Sequence, residues 1–196
     1  MQQLILGSSS PFRAELLNKL DLSFIQVSPD IDETAVAGEK PAALVERLAK
    51  NKALEIAKTH PEALIIGSDQ VAVIDEDILG KPGNHQNAMA QLKRAAGREV
   101  CFLTGLAVLN AKTGHMQSVV EPFKVHFRTL TDNQIDFYLK KEQPYQCAGS
   151  FKSEGFGISL FSKLVGDDPN TLIGLPLIRL VEMLRQEGVD VLQLNQ

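Results

Sequence analysis

The stretch from Ala63 to Pro82, ALIIGSDQVAVIDEDILGKP, limits what this chain can fold into more than any other. Leu64 to Ile66 is a short unbroken apolar run, and Val71, Val73 and Ile74 form a second, β-branched one. Runs of this length suit strands buried on both faces, as in the interior of an α/β sheet. Gly67-Ser68-Asp69-Gln70 lies between them and predicts a break. A carboxylate at that break, followed shortly by Gly80-Lys81-Pro82, predicts an acid and a base on adjoining loops of a rigid scaffold, where sites are commonly built. The same residues also read as ordinary turn formers, because Asp and Gly favour turns for local reasons.

A chain of 196 residues can bury a sizeable core and fits one domain or two lobes around a cleft. No linker is visible, so a single domain over 1–196 is expected. The apolar runs fall far short of a membrane span, which argues against a membrane protein. The start of the chain, Met1-Gln-Gln-Leu-Ile-Leu-Gly7, has no basic segment leading into a long apolar one, which predicts a cytoplasmic protein without a secretory signal. Cys101 and Cys147 have no CxxC spacing, and His60, His85, His115 and His126 show no HxxxH pairing, so neither set reads as a metal site. A net charge of −4 speaks against general nucleic-acid binding while leaving room for a local basic pocket that takes a small polyanion.

In chain order, Gln2 to Leu6 reads as a strand. Gly7-Ser8-Ser9-Ser10-Pro11 then turns into a helix with Ser10 as N-cap and Pro11 at the first helical position. Arg13 in that first turn opposes the helix dipole, which suggests an anion there; the residues read equally as a capped helix with a surface arginine. Leu22 to Val27 alternates like a strand. Asp30, Asp32 and Glu33 form an acidic loop, solvated by default but of interest if a divalent cation is needed. Pro41 to Lys58 is a clear amphipathic helix bearing Lys50, Lys52 and Lys58, and spacing alone does not say which lysine faces a ligand.

Further along, Asn84 caps a helix that ends near Gly97. Arg98–Leu109 and Gln117–Phe127 read as long strands joined by Asn110–His115. In the second, Phe123, Val125 and Phe127 alternate with Lys124, His126 and Arg128. Thr131 caps a short helix through Leu139, Gln143–Phe156 is irregular, and Gly157–Phe161 reads as one more strand. Pro176–Glu187 forms the last helix, stopped by Gly188. Early alternation of strands and helices with a late hairpin predicts an α/β fold around a mixed sheet. There is no GxxxxGK[ST] loop, no complete GxGxxG and no GxSxG elbow, which disfavours P-loop NTPases, Rossmann dehydrogenases and α/β-hydrolases. An acid-dependent hydrolase or a binding protein remains.

Gly7-Ser-Ser-Ser-Pro-Phe-Arg-Ala-Glu-Leu-Leu17, Asp32-Glu33-Thr34, Arg47-Leu-Ala-Lys-Asn-Lys-Ala53, Gly67-Ser-Asp-Gln70, Gly80-Lys-Pro82, Thr104-Gly105, Val125-His-Phe-Arg128, Ala148-Gly149 and Gly174-Leu-Pro176 together resemble the Maf family of nucleoside triphosphate pyrophosphatases. The likeness runs in the family's order over nearly the whole chain. It implies a two-lobed, inosine triphosphatase-like α/β fold with a mixed, twisted central sheet and a cleft between lobes. It also implies cleavage of the α–β phosphoanhydride of a nucleotide with a divalent cation, Mg2+ or Mn2+. By the resemblance Asp69 is the general base, Glu33 an acid near the metal and Lys81 a catalytic cation, with Asp69 and Glu33 as metal ligands. Ser8, Arg13 and Lys52 match phosphate-contacting positions. A small nucleotide partner is implied, with no nucleic acid or membrane and with a homodimer left open.

Three positions depart from the common family pattern. Phe12 stands where an arginine is usual, Gln70 where a threonine is, and Glu154 where a glutamine is. All three resemble the branch acting on 7-methyl-GTP rather than the branch acting on dTTP and UTP. Cys147 replaces a usual lysine, a contact Lys152 could take over. The alternatives are a dTTP/UTP pyrophosphatase and a nucleotide-binding regulator of cell division.

Overall fold

The computed structural model describes residues 2–193, so the outermost residues of the expected 1–196 domain lie outside it. The expected mixed sheet is present. Its order is β2 (Phe24–Val27), β1 (Leu4–Gly7), β3 (Leu64–Ile74), β5 (Glu99–Asn110), β6 (His115–Phe127) and β7 (Phe161–Val165), with β4 (Asp77–Leu79) paired to β3. β1 runs parallel to both β2 and β3, whereas β3 with β4 and β6 with β7 are antiparallel. Four-residue β1 is buried throughout, as a continuous apolar run at the centre of parallel neighbours should be.

The chain divides into two compact units. The first takes the residues up to Asp69, Thr104–Glu121 and the chain from Gly174 on. Its helices are α1 (Pro11–Asn18), α2 (Pro41–Ala57) and, near the end of the chain, α6 (Leu177–Gln186). Ser10 caps α1 as expected, accepting from the Arg13 amide at 3.4 Å, with Pro11 at the first helical position. In α2, Leu44, Val45, Leu48, Ala49, Ala53 and Ile56 are buried, and Lys52 is buried with them.

α2 lies unusually close to the sheet, and glycines make that possible. Gly7 and Gly67 are register partners on β1 and β3. A Cβ at Gly67 would run into the Ala49 carbonyl, one at Gly105 of β5 into the Val45 carbonyl, and one at Gly7 would come within 2.8 Å of Ile56 Cδ1. Ala49 and Val45 are one helical turn apart, so the helix backbone rests along a floor without side chains. Here the structure corrects the sequence reading. β3 is one unbroken strand from Leu64 to Ile74, and Asp69 sits inside it rather than at a loop between two strands. Gly67 answers to the close approach of α2, not to a turn.

The second unit takes Gln70–Leu103 and Pro122–Ile173 and has its own core, in which Phe102, Phe127, Phe151 and Phe161 pack edge-to-face. Its helices are α3 (His85–Ala95), capped by Asn84, α4 (Asp132–Glu142), where Thr131 and Gln134 form a capping box, and α5 (Asn170–Ile173). Two expectations are corrected. Gly157–Phe161 is not a strand: Phe156–Leu160 is a 3-10 turn and β7 begins only at Phe161. Gly157 marks contact with the Lys152 backbone, where a Cβ would strike the carbonyl oxygen. The β5–β6 connection is also shorter than expected, closing with Gly114 N donating to Asn110 O at 2.8 Å. On β6, Phe123, Val125 and Phe127 are buried, and Lys124 and His126 turn outward to Glu99 at 3.1 and 3.4 Å. No described helix is long and apolar enough to cross a membrane.

Candidate active site

The first unit gathers a set of charged side chains around one ammonium. Lys52 reaches from α2 to Asp69 Oδ1 on β3 at 2.6 Å and to Glu33 Oε1 at 2.7 Å. Lys52 is 6% exposed and Asp69 9%, whereas the Glu33 side chain is 59% exposed on a loop without regular structure. Burying an ammonium is costly unless it is paired and hydrogen-bonded. Two carboxylates meet that need here. Spacing could not single out Lys52 from Lys50 and Lys58, but burial does: Lys50 and Lys58 pair with Glu46 and Glu55 of their own helix at the surface.

Next to this cluster is the loop from β1 into α1. Ser8 is 4% exposed, and its Oγ accepts from Ser10 N and from Arg13 NH1, each at 3.2 Å. With two acceptances made, the hydroxyl keeps its own proton as a donor. Arg13 Nε donates to the Gly174 carbonyl at 2.8 Å, and the fully buried Ser68 Oγ donates to that same oxygen at 2.9 Å. Burial lowers the pKa of the Arg13 guanidinium, and Asp69 and Glu33 oppose the shift. Arg13 therefore lies within electrostatic reach of both carboxylates.

Sequence reasoning missed three supports. The Gln26 amide on β2 donates to the carbonyls of Ser8 at 2.7 Å and Ser10 at 3.1 Å, fixing the loop from outside. The Gly174 carbonyl anchors Arg13, and Ser68 holds that carbonyl. Their signals in the sequence were the alternation along β2 and the bare presence of the Gly67-Ser-Asp-Gln and Gly-Leu-Pro segments. Phe12, in the first turn of α1, is half-buried.

The remaining expected residues lie in the second unit. Gln70, next to Asp69 on β3, donates from Nε2 to the carbonyls of Thr171 at 2.8 Å and Leu172 at 3.3 Å. Lys81 is exposed on the loop from β4 to α3, a loop held where the Asn87 amide donates to Pro82 O and Gln91 Nε2 to Gly80 O. Glu154 is exposed and accepts from Ser153 Oγ at 3.3 Å. Burial pushes the Cys147 thiol up, and the charges acting on it are, in order, Lys152, Glu154, Lys81 and Glu142. Lys81, Lys152 and Glu154 thus share one neighbourhood around Cys147, with Lys152 foremost.

The point on which one oxygen each of Asp69 and Glu33 converges is the Lys52 ammonium. Carboxylate oxygens are what hard divalent cations take together with water and phosphate oxygens, but no group of three or more His, Cys, Asp and Glu side chains that could hold such an ion comes together among the described residues.

A family model described as Maf, Maf-like protein, matches residues 3–187. The chain is 58% identical over 96% of its length to a protein of Nitrosococcus oceani named 7-methyl-GTP pyrophosphatase, covering 95% of that protein. It is 57% identical to one of the same name from Colwellia psychrerythraea, over 98% of this chain and 96% of the other. A third of that name, from Alcanivorax borkumensis, is 60% identical over 96% and 95%. Among solved structures, the Staphylococcus aureus Ham1 protein aligns over 95% of this chain and all of its own, with a TM-score of 0.51 at 10% identity, a likeness of fold alone.

Proposed function

Because the chain belongs to the Maf family, we propose that it is a nucleoside triphosphate pyrophosphatase that hydrolyses 7-methyl-GTP to 7-methyl-GMP and pyrophosphate. The observation that carries this reading is the convergence of Asp69 and Glu33 on the Lys52 ammonium beside Arg13 and Ser8. Hydrolysis of an anhydride between phosphates sets water against a polyanion. It needs a carboxylate to take the proton and cationic groups to hold the charge that builds up on the phosphate oxygens. In the proposed reaction the Asp69 carboxylate orients a water and accepts its proton, and the water oxygen bonds to the α-phosphorus. The bond from α-phosphorus to the bridging oxygen breaks, and that oxygen leaves with pyrophosphate. Lys52 has a third N–H beyond its two carboxylate bonds to offer a phosphate oxygen. Arg13 and the Ser8 hydroxyl add charge-assisted and neutral donors, and Lys81 adds positive charge.

A divalent cation, magnesium or manganese, held by Asp69 and Glu33 would supply positive charge to the phosphate oxygens. We place the enzyme in the cytoplasm, where nucleoside triphosphates are made and used. Discrimination for the methylated base rests, in this proposal, on Phe12 and Glu154, with Gln70 holding the segment of Thr171 and Leu172. Incubating the protein with magnesium and 7-methyl-GTP, GTP, dTTP or UTP, and measuring pyrophosphate, tests the reading. A specificity constant at least about tenfold higher for 7-methyl-GTP is expected. Equal release from dTTP would point to a pyrimidine triphosphate pyrophosphatase, and binding without release to a regulator.

A further inference from the structure

Glu33 sits on a loop that has no helix or strand to hold it, yet its carboxylate meets Lys52 at 2.7 Å. Arg47, on the same helix as Lys52, ties that loop down. Its Nε and NH2 donate to the two oxygens of Glu39 at 2.6 and 2.7 Å, and NH2 also donates to the Thr34 carbonyl, directly after Glu33, at 3.1 Å. Glu39 in turn accepts from Val36 N at 3.0 Å, and Asp32 Oδ1 accepts from Thr34 N at 2.9 Å. The Glu39 side chain is 10% exposed although its neighbours in the loop are open to solvent. A planar fork gripping a carboxylate at both oxygens fixes direction as well as distance, which a flexible ammonium does not.

From this geometry we infer that Arg47 is a positioning residue for the reaction: with Glu39 it latches the 32–39 loop onto α2 and so delivers Glu33 to Lys52. The inference rests on the pyrophosphatase reading for its kinetic consequence and on the loop alone for its structural one. An arginine that merely stabilised the fold would lower stability without acting through Glu33. Arg47→Ala, Arg47→Lys and Glu39→Gln are compared with the parent and with Glu33→Gln, in pyrophosphate release and in hydrogen exchange.

In Arg47→Ala, kcat is expected to fall by about tenfold to a hundredfold, as for other small misplacements of catalytic groups, with KM changing less. Glu39→Gln should behave alike and Arg47→Lys should fall between. Adding Arg47→Ala to Glu33→Gln should cost nothing further, and amides 33–39 should exchange faster while those of α2 do not. Parent-like kinetics in Arg47→Ala, losses that multiply with Glu33→Gln, or unchanged exchange in the loop would each overturn the latch. A parent protein that releases no pyrophosphate would refute the enzymatic reading instead, and the exchange measurement on Arg47→Lys then decides the latch by itself.

Discussion

Lys52 is held by two acids that differ in exposure, and the difference separates their predicted mutant effects. Asp69→Asn keeps the shape but removes the proposed proton acceptor and one partner of a buried ammonium. Turnover is expected to fall by about a hundredfold or more, the range of a lost general base. Stability should also drop, by less than the ~3–5 kcal/mol of a fully orphaned buried charge, since Glu33 still pairs with Lys52. Steady-state kinetics and a urea midpoint check both, and parent-like rates would remove Asp69 from the mechanism. A second residue-scale prediction concerns Glu39. The Arg47 fork, with the Val36 amide, lowers its pKa from 4.5 to about 2. A carboxyl depressed by folding stabilises above its unfolded value and loses that contribution as pH falls through the folded one. The stability gap between parent and Glu39→Gln should therefore be full above pH 5 and shrink between about 4.5 and 2. Urea midpoints of both proteins at neutral and acid pH measure it, and a gap that does not change with pH would contradict the assignment. The sequence singled out Asp69, Glu33 and Lys52 one by one, but it did not point to Glu39 or to any of the partnerships. Nothing in the spacing of α2 joins Lys52 to Glu33 or Arg47 to Glu39, because both contacts depend on how an irregular loop returns to the helix.

Helices and most strands were legible because their causes are local: Ser10 with Pro11, Asn84 and the Thr131 capping box start helices where expected. Gly67-Ser68-Asp69-Gln70 misled for the same reason. Locally these residues favour a turn, but the strand runs through them because α2 packs against the glycines of β1, β3 and β5. Likewise Gly157 read as part of a strand and instead marks contact with the Lys152 backbone. Tertiary approach, which no window of sequence reports, decided both. This floor makes a sharp prediction. Gly67→Ala puts a methyl group into the Ala49 carbonyl, and neither backbone can yield easily. It should cost about 1–3 kcal/mol or more, the usual toll of overpacking, and should lower activity by lifting Lys52 from Asp69. Gly80→Ala meets nothing within 4 Å and serves as the control. If the two variants unfold at the same urea concentration, the close approach of α2 is not what requires glycine at 67.

At the scale of the whole molecule, the family likeness runs through both compact units, and the proposed choice of base turns on the residue types at 12 and 154. Methylation at N7 gives guanine a delocalised positive charge and leaves N1–H and the 2-amino group as donors. A carboxylate at 154 can accept from both and attract the ring, each interaction stronger than a neutral amide would make. Phenylalanine at 12 removes a repelling charge and offers a face to a cation, worth ~1–2 kcal/mol when desolvated. Gln70 enters differently, since its amide nitrogen already donates to Thr171 O and Leu172 O. Its expected part is to hold that segment, so Gln70→Thr alone should alter KM for all nucleotides together. Glu154→Gln alone should instead narrow the gap between 7-methyl-GTP and GTP by about tenfold, the value of one charge-assisted contact. Combining both with Phe12→Arg should move activity towards dTTP and UTP. The ratios of kcat/KM across the four nucleotides measure this, and an undiminished preference for 7-methyl-GTP over GTP in Glu154→Gln would show that the carboxylate does not read the methylated base.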